Sequence, residues 1–218
     1  MKDYREYYRR HLPHWQPEGA TLFVTIRLAG SLPREVVDAL KAEQEAEKKG
    51  LAVLKSQEDY REQAYIAERR YYGRWDSALD QSCTGPHWLR IPEITSLVAK
   101  ALHYREGKVY DLIAFCIMSN HLHSIFTPFQ KDNGIYFPLH RIMQSLKRYT
   151  ARHANQILQR EGSFWQAESY DHVVRDMPEL QRIIQYTLNN PVKAGLTTSW
   201  LDWPGNYCKA DYQSILQE

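Results

Sequence analysis

The chain of 218 residues predicts an α+β fold built on one antiparallel sheet. Residues 21–28, 109–117 and 122–127 are short runs rich in β-branched and aromatic side chains, which is typical of strands. Residues 91–104 and 139–160 carry apolar side chains at helical spacing. Because strand-like and helix-like segments alternate within one chain, an α+β domain is the simplest interpretation.

The length and composition suit one domain with an insertion. The net charge of +2 does not by itself indicate a nucleic-acid partner, so such a partner has to be argued from local patches. The three cysteines are widely separated and form no Cys-x-x-Cys motif, which disfavours a zinc ribbon or a disulfide framework. The polar N-terminus contains no signal-like apolar run. We therefore expect a cytoplasmic protein with no membrane partner.

Two segments depart from the average composition. Residues 1–19 interleave tyrosines with Arg9 and Arg10, which could contact DNA phosphates, although the aromatics could equally pack on the domain. Between Arg34 and Asp80, 20 of 47 residues are charged, which is too many for a buried element. We interpret residues 33–80 as an inserted helical hairpin, whose second helix covers about 56–75.

A pair of histidines lies at the centre of the chain. Residues i and i+2 of a strand point to one face, so His121 and His123 are expected side by side, after a short turn that contains Asn120. Buried imidazoles need partners. A divalent metal ion could supply that partner, but two structural histidines on a half-exposed strand would show the same pattern.

The helix predicted at 139–160 has a basic side as well as an apolar stripe. Its candidate DNA-binding residues are Arg141, Lys147, Arg148 and Arg152. This face is the best local electrostatic patch of the chain. A solvated helix surface is the alternative interpretation.

The last predicted helix begins at Asp176, with Glu179 placed as in a capping box. At 100° per residue, Tyr186 points away from the apolar stripe, beside Glu179 and Asn190. Pro191 should end or disturb this helix near Asn190. Residues beyond 200 are expected to form a short irregular tail.

Without the insertion, the predicted order is βαββαβ, as in ferredoxin-like and RRM-like folds, with one helix appended. We expect an antiparallel sheet with helices on one face and a C-terminal helix that carries Tyr186. The predicted boundaries are a single domain at 1–204 and a tail at 205–218.

Several motifs occur together in the order found in one protein family. They are Met-Ser-Asn-His-Leu-His at 118–123, Ser-Leu-Lys-Arg-Tyr-Thr-Ala at 145–151, Phe-Trp-Gln at 164–166, Tyr-Asp-His at 170–172, and Tyr186 followed by Asn-Pro-Val-Lys-Ala-Gly-Leu at 190–196. The chain resembles the REP-associated tyrosine transposases of the single-tyrosine HUH transposase superfamily. The resemblance covers most of residues 10–204.

The resemblance implies a single-stranded DNA endonuclease and strand transferase. Its substrate would be a bacterial DNA hairpin of the repetitive extragenic palindrome (REP) type, cleaved through a covalent 5′-phosphotyrosine on Tyr186. The metal ligands would be His121, His123 and Asn190, and this neutral set suits Mg²⁺ or Mn²⁺. Asn120 and His172 are candidates for supporting this site, and Lys193 for a further DNA contact.

The chain departs from the family pattern at two places. Ser119 stands where relatives commonly have proline, and Gly205-Asn206-Tyr207-Cys208 replaces a frequent Trp-Ser-Ser continuation. The first departure removes no ligand, and the second concerns only DNA contacts or regulation by the C-terminal segment. Two other classes remain as alternatives, a non-catalytic RRM-like nucleic-acid-binding module and a metal-dependent hydrolase acting on an unrelated substrate. The sequence also leaves the choice between monomer and homodimer open.

Overall fold

A computed structural model describes residues 7–9, 13–15, 17–51, 57–82 and 84–213. The chain forms two compact units, one of residues 30–86 and one of the remaining residues. Within the described residues, no helix combines the length and apolar character that a bilayer-spanning segment needs.

The larger unit contains a five-stranded antiparallel sheet. Strands β1 (Tyr7–Arg9) and β2 (Pro13–Trp15) form a separate small hairpin. The sheet strands are β3 (Leu22–Arg27), β4 (Tyr110–Ile117), β5 (His121–Pro128), β6 (Tyr170–Val173) and β7 (Asn206–Cys208). Their spatial order is β6–β3–β5–β4–β7. The first four strands therefore have the ferredoxin-like arrangement that the element order predicts, and the α+β prediction is confirmed.

Helices cover both faces of this sheet. Helices α3 (Pro92–His103) and α4 (Leu139–Ile157) pack on one face, where Leu22, Val24 and Ile26 join the main apolar core. The intervening Phe23 and Thr25 point to the other face because strand side chains alternate. Helix α5 (Met177–Lys193) packs on that second face and buries Leu180, Ile184 and Leu188.

The smaller unit is the inserted helical hairpin. Its helices are α1 (Arg34–Leu51) and α2 (Gln57–Gln81), so the second helix continues about six residues beyond its predicted end. Arg74 of α2 forms ion pairs with Glu43 at 3.1 Å and Glu47 at 2.9 Å on α1. These pairs are partly exposed, so their contribution to stability is small.

Pro191, which was expected to end or disturb α5 near Asn190, does not end it. The helix continues to Lys193, with Pro191 inside its last turn. A single proline at this position removes only one hydrogen bond of the helix ladder. The helix then ends in a Schellman cap, in which Gly195 N donates to Val192 O and Leu196 N donates to Pro191 O. Gly195 has the left-handed φ of 69° that this cap requires.

Residues 200–213, which were expected to be irregular, contain regular elements. A short 3₁₀ turn precedes β7, and helix α6 (Ala210–Gln213) follows it. Strand β7 pairs with the outer edge of β4. A three-residue strand has no periodicity of its own, so local sequence pattern could not predict it.

Candidate metal and tyrosine site

The two central histidines meet on the face of the sheet that α5 covers. His121 Nε2 lies 3.0 Å from His123 Nε2, and neither residue is exposed to solvent. Leu122, between them, points into the opposite core. The predicted paired-imidazole face is therefore present, and it is buried rather than on a half-exposed strand.

Each imidazole is held through its other ring nitrogen. Asn120 Oδ1 lies 2.7 Å from His121 Nδ1, and Thr25 Oγ1 lies 2.8 Å from His123 Nδ1. An amide oxygen only accepts, so the His121 Nδ1–H donates and its Nε2 carries a lone pair. If His123 likewise donates to Thr25, both Nε2 lone pairs point at one position. That arrangement is typical of metal-binding histidines.

The turn before His121 is fixed by three neighbours. Met118 N donates to His121 O at 2.9 Å, and Leu28 N donates to Asn120 O at 2.8 Å. Ser119 Oγ shares a hydrogen bond of 2.9 Å with His87 Nδ1. The Ser119 side chain therefore restrains the turn as well.

Asn190 completes the group from above the sheet. Its side chain is buried, and its Nδ2 lies 3.4 Å from His123 Nε2. Asn190 lies one helical turn beyond Tyr186 on α5, which brings its amide close to His123. Metal ligation would use the amide oxygen, which a half-turn of the amide group presents to the same position.

Tyr186 lies beside the histidines and is partly exposed. Its ring centroid is 6.0 Å from that of His123 and 6.4 Å, edge on, from that of Phe23. Phe23 also stacks on His123 at 5.6 Å, so it contacts both. The Lys193 ammonium lies 5.7 Å from the centroid of the Tyr186 ring. This distance is within the range of a cation–π contact with the ring.

One expectation for α5 needs correction. Glu179 and Asn190, which were expected to point away from the core with Tyr186, are buried. The reason is that the sheet presents His172 beneath Glu179 and His123 beneath Asn190, so these polar side chains find partners there. Glu179 contacts His172 Nε2 at 3.2 Å and accepts a hydrogen bond from Arg175 N at 2.8 Å. The Asp176 side chain caps the helix as predicted, by accepting from Glu179 N at 2.7 Å.

The basic candidates lie elsewhere. Arg141, Arg148 and Arg152 are exposed on α4, on the opposite side of the sheet from Tyr186. The Lys147 ammonium donates to three backbone carbonyls, of Gln166, Ala167 and Glu168, at 3.0–3.2 Å. The side chain of Arg9 and the whole of Arg10 lie outside the described residues.

Sequence reasoning missed Thr25 and Phe23. Both lie on β3, about one hundred residues before the histidines, and reach them only through the pairing of Thr25 with His123 across β3 and β5. A periodic strand pattern could show that these residues share a face, but it could not show which face or which partner.

The residues present fit a divalent metal ion. Two ligands about 2.1 Å from a metal and 90° apart are separated by about 3.0 Å, which is the measured distance between the two Nε2 atoms. Neutral imidazole is a common ligand of divalent transition metals. The site thus offers two nitrogens at ligand spacing, with an amide side chain beside them.

The fold and site define a ferredoxin-like domain that buries a histidine pair under a tyrosine-bearing helix. No family model matches the chain. A curated relative from Haemophilus influenzae, provisionally named REP-associated tyrosine transposase, is 25% identical over 100 residues. That match spans 44% of this chain and 57% of the relative. It confirms the resemblance that the motifs indicate.

A solved structure gives the second comparison. The structure of a REP-associated tyrosine transposase bound to a REP hairpin matches 94% of this chain and 82% of its own chain. The TM-score is 0.50 and the sequence identity is 16%. At this identity the likeness concerns the fold alone.

Proposed function

We propose that the chain is a metal-dependent DNA endonuclease and strand transferase that cleaves single strands at REP-type hairpins. In this proposal Tyr186 is the nucleophile and forms a covalent 5′-phosphotyrosine. The proposal rests on the position of His123, which lies next to all three other site residues. Its Nε2 atom is within 3.4 Å of side-chain nitrogens of His121 and Asn190, and its ring lies beside that of Tyr186. The relative's name and the hairpin bound in the solved structure support the substrate class.

His121, His123 and Asn190 would hold Mg²⁺ or Mn²⁺. A bound cation would make the scissile phosphorus more electrophilic and stabilise the charge that develops on its oxygens. Asn120 and Thr25 orient the two imidazoles through their Nδ1 atoms. Because both histidines are fully buried, a phosphate reaches them only after the groups that cover them move.

The chemical step is a transesterification. The Tyr186 phenol oxygen bonds to phosphorus while the bond from phosphorus to the 3′ oxygen breaks. The phenol gives up its proton, and the departing 3′ oxygen takes one up, so a free 3′ hydroxyl results. Since the new phosphotyrosine bond conserves the energy of the old ester, the reverse reaction on another end joins strands without ATP. Phe23 contacts the phenol ring edge on, and the Lys193 ammonium lies over the ring.

The exposed side of α4 would bind DNA away from the cleavage point. Residues 139–160 contain no acidic side chain, so the fields of Arg141, Arg148 and Arg152 add without opposition. Lys147 would contribute charge, although its N–H groups already have carbonyl acceptors. Because this helix and Tyr186 lie on opposite faces, the bound DNA would have to pass around an edge of the sheet.

A transfer assay tests the proposal. A hairpin-bearing strand labelled at its 3′ end is incubated with protein and Mn²⁺ and run on a denaturing gel, where the label should move to the protein band. Tyr186→Phe should abolish transfer and leave hairpin binding intact. Tyr104→Phe is the control, since Tyr104 is 69% exposed and lies outside the site.

The same gel separates the alternatives. Hairpin binding with no cleavage by the wild type would favour the non-catalytic module. Cleavage with no labelled protein would favour a hydrolase. Nicking by Tyr186→Phe at the wild-type rate would contradict the assignment of the nucleophile.

A further inference from the structure

The segment that follows α5 contacts both halves of the candidate site. Trp203 Nε1 donates to Ile117 O at 3.0 Å, and Ile117 N donates to Gly205 O at 2.8 Å. Ile117 is the last residue of β4, where the turn to His121 begins. A side chain at Gly205 would overlap the Ile117 carbonyl oxygen, so this close approach requires glycine.

The next residue reaches the tyrosine helix. Asn206 Nδ2 donates to Leu188 O at 2.9 Å and to Trp200 O at 2.8 Å. Leu188 lies between Tyr186 and Asn190 on α5. Asn206 therefore fixes the helix backbone directly between the proposed nucleophile and the proposed metal ligand.

That part of α5 needs an external restraint. Pro191 has no N–H to donate to the carbonyl of Thr187, so the turn that carries Asn190 lacks one ladder hydrogen bond. The side-chain amide of Asn206 adds a hydrogen bond to the neighbouring carbonyl in the same turn.

The position of Asn206 is itself set by the sheet. In the strand register, Asn206 pairs with Cys116, and Cys116 pairs with His123 on its other side. The residue that holds the helix thus stands in the same cross-strand row as the histidine beneath the helix. A shift of β7 would move Leu188 relative to His123.

We propose that Asn206 is a positioning residue that sets the separation between Asn190 and the histidine pair. This inference rests on the proposed metal role of those three residues. Residues 203–206 thus connect the two parts of the site. Trp203 and Gly205 hydrogen-bond to Ile117 at the start of the hairpin turn, and the Asn206 amide hydrogen-bonds to α5. The resemblance assigned no role to these positions, and local pattern predicted only a tail.

The test compares Asn206→Ala with the wild type by Mn²⁺ titration, with free Mn²⁺ measured by electron paramagnetic resonance. Alanine is preferred to aspartate because Asn206 Oδ1 is buried, and a charge there would be costly. Supporting groups around a metal site change its affinity by about 10–100-fold. We expect Mn²⁺ to bind about tenfold more weakly, and amide hydrogen exchange at residues 187–193 to accelerate without metal.

Thr150→Val is the matched control. It removes the buried hydrogen bond from Trp165 Nε1 to Thr150 Oγ1 on the other face of the sheet. It should lower stability but leave Mn²⁺ affinity and exchange in α5 unchanged. Trp203→Phe, which removes the indole donor to Ile117 and reduces the side chain from two rings to one, should weaken Mn²⁺ binding in the same direction as Asn206→Ala.

Two results would overturn the inference. One is wild-type Mn²⁺ affinity and wild-type exchange in Asn206→Ala. The other is an equal loss of affinity in Thr150→Val, which would show general destabilisation. Failure of the proposed function gives a different result. If the wild-type protein binds Mn²⁺ but does not cleave DNA, the proposed enzymatic function is contradicted, whereas the positioning role of Asn206 is not. Wild type that binds no Mn²⁺ contradicts both.

Discussion

Thr25 Oγ1 lies 2.8 Å from His123 Nδ1, and the two residues are directly paired across β3 and β5. The hydroxyl holds the imidazole plane so that Nε2 points toward His121. A threonine on the first sheet strand therefore orients the imidazole of a histidine on a much later strand. The arrangement predicts that Thr25 affects metal binding without being a ligand.

Thr25→Val should weaken Mn²⁺ binding by about 10–100-fold, because valine keeps the shape and removes the hydrogen bond. It should also cost about 1–3 kcal/mol of unfolding free energy, since His123 Nδ1 loses its buried partner. Isothermal titration and urea denaturation measure the two effects. Thr25→Ser keeps the hydroxyl and should bind nearly as the wild type does. Equal affinity for valine and serine variants would contradict this role.

Replacing both histidines, His121→Ala with His123→Ala, should abolish Mn²⁺-dependent cleavage while hairpin binding in the presence of a chelator persists. The physical reason is that two of the three proposed ligands are lost. His103→Ala is the control, because that imidazole is exposed and pairs with Glu106. Undiminished cleavage by the double variant under Mg²⁺ or Mn²⁺ would rule out the metal role.

The basic side of α4 should make hairpin affinity fall steeply with salt. Each lost phosphate contact lowers the slope of log K against log salt by about 1. Arg148→Ala and Arg152→Ala should each reduce the slope by that amount in fluorescence anisotropy titrations. Arg34→Ala, at a side chain that is 91% exposed on the inserted hairpin, serves as the comparison. A salt-independent affinity in the wild type would argue against phosphate contacts on α4.

The burial of Tyr110 predicts that the free energy of unfolding decreases at alkaline pH. Its hydroxyl donates to Leu102 O at 2.9 Å, and burial raises the pKa of Tyr110 well above its ordinary value near 10. Above about pH 10 the unfolded chain releases this proton while the folded chain retains it. The free energy of unfolding therefore falls as pH rises, by up to about 1.4 kcal/mol per unit from this group.

Tyr110→Phe isolates that contribution. The variant should be about 1 kcal/mol less stable at pH 8, because a hydrogen bond is lost. The difference should shrink or reverse by pH 11, because phenylalanine has no proton to release. Urea denaturation at pH 8, 10 and 11 measures this. Parallel stability curves for wild type and variant across that range would contradict it.

Local periodicity predicted the elements that have a clear pattern of their own. The helix expected at 139–160 is Leu139–Ile157, and the strand expected at 109–117 is Tyr110–Ile117. The two histidines were placed on one face by strand alternation alone. Each of these conclusions depends only on neighbours along the chain.

The rest depends on pairing between distant residues. Glu179 was placed outside because a polar helix side usually faces water, yet the sheet face beneath it offers His172 as a partner. The strand that contains Asn206 could be predicted only if the outer edge of β4 were already known to be available for pairing. Long-range register, not local propensity, assembles the site around Tyr186.

The central claim is that Tyr186 forms the covalent link to DNA. Trypsin releases residues 183–193 as one peptide, in which Tyr186 is the single tyrosine. After reaction with the hairpin and nuclease trimming, mass spectrometry should find the remaining nucleotide on this peptide, attached at Tyr186. A nucleotide on any other peptide, or cleaved DNA with no modified peptide, would contradict the account.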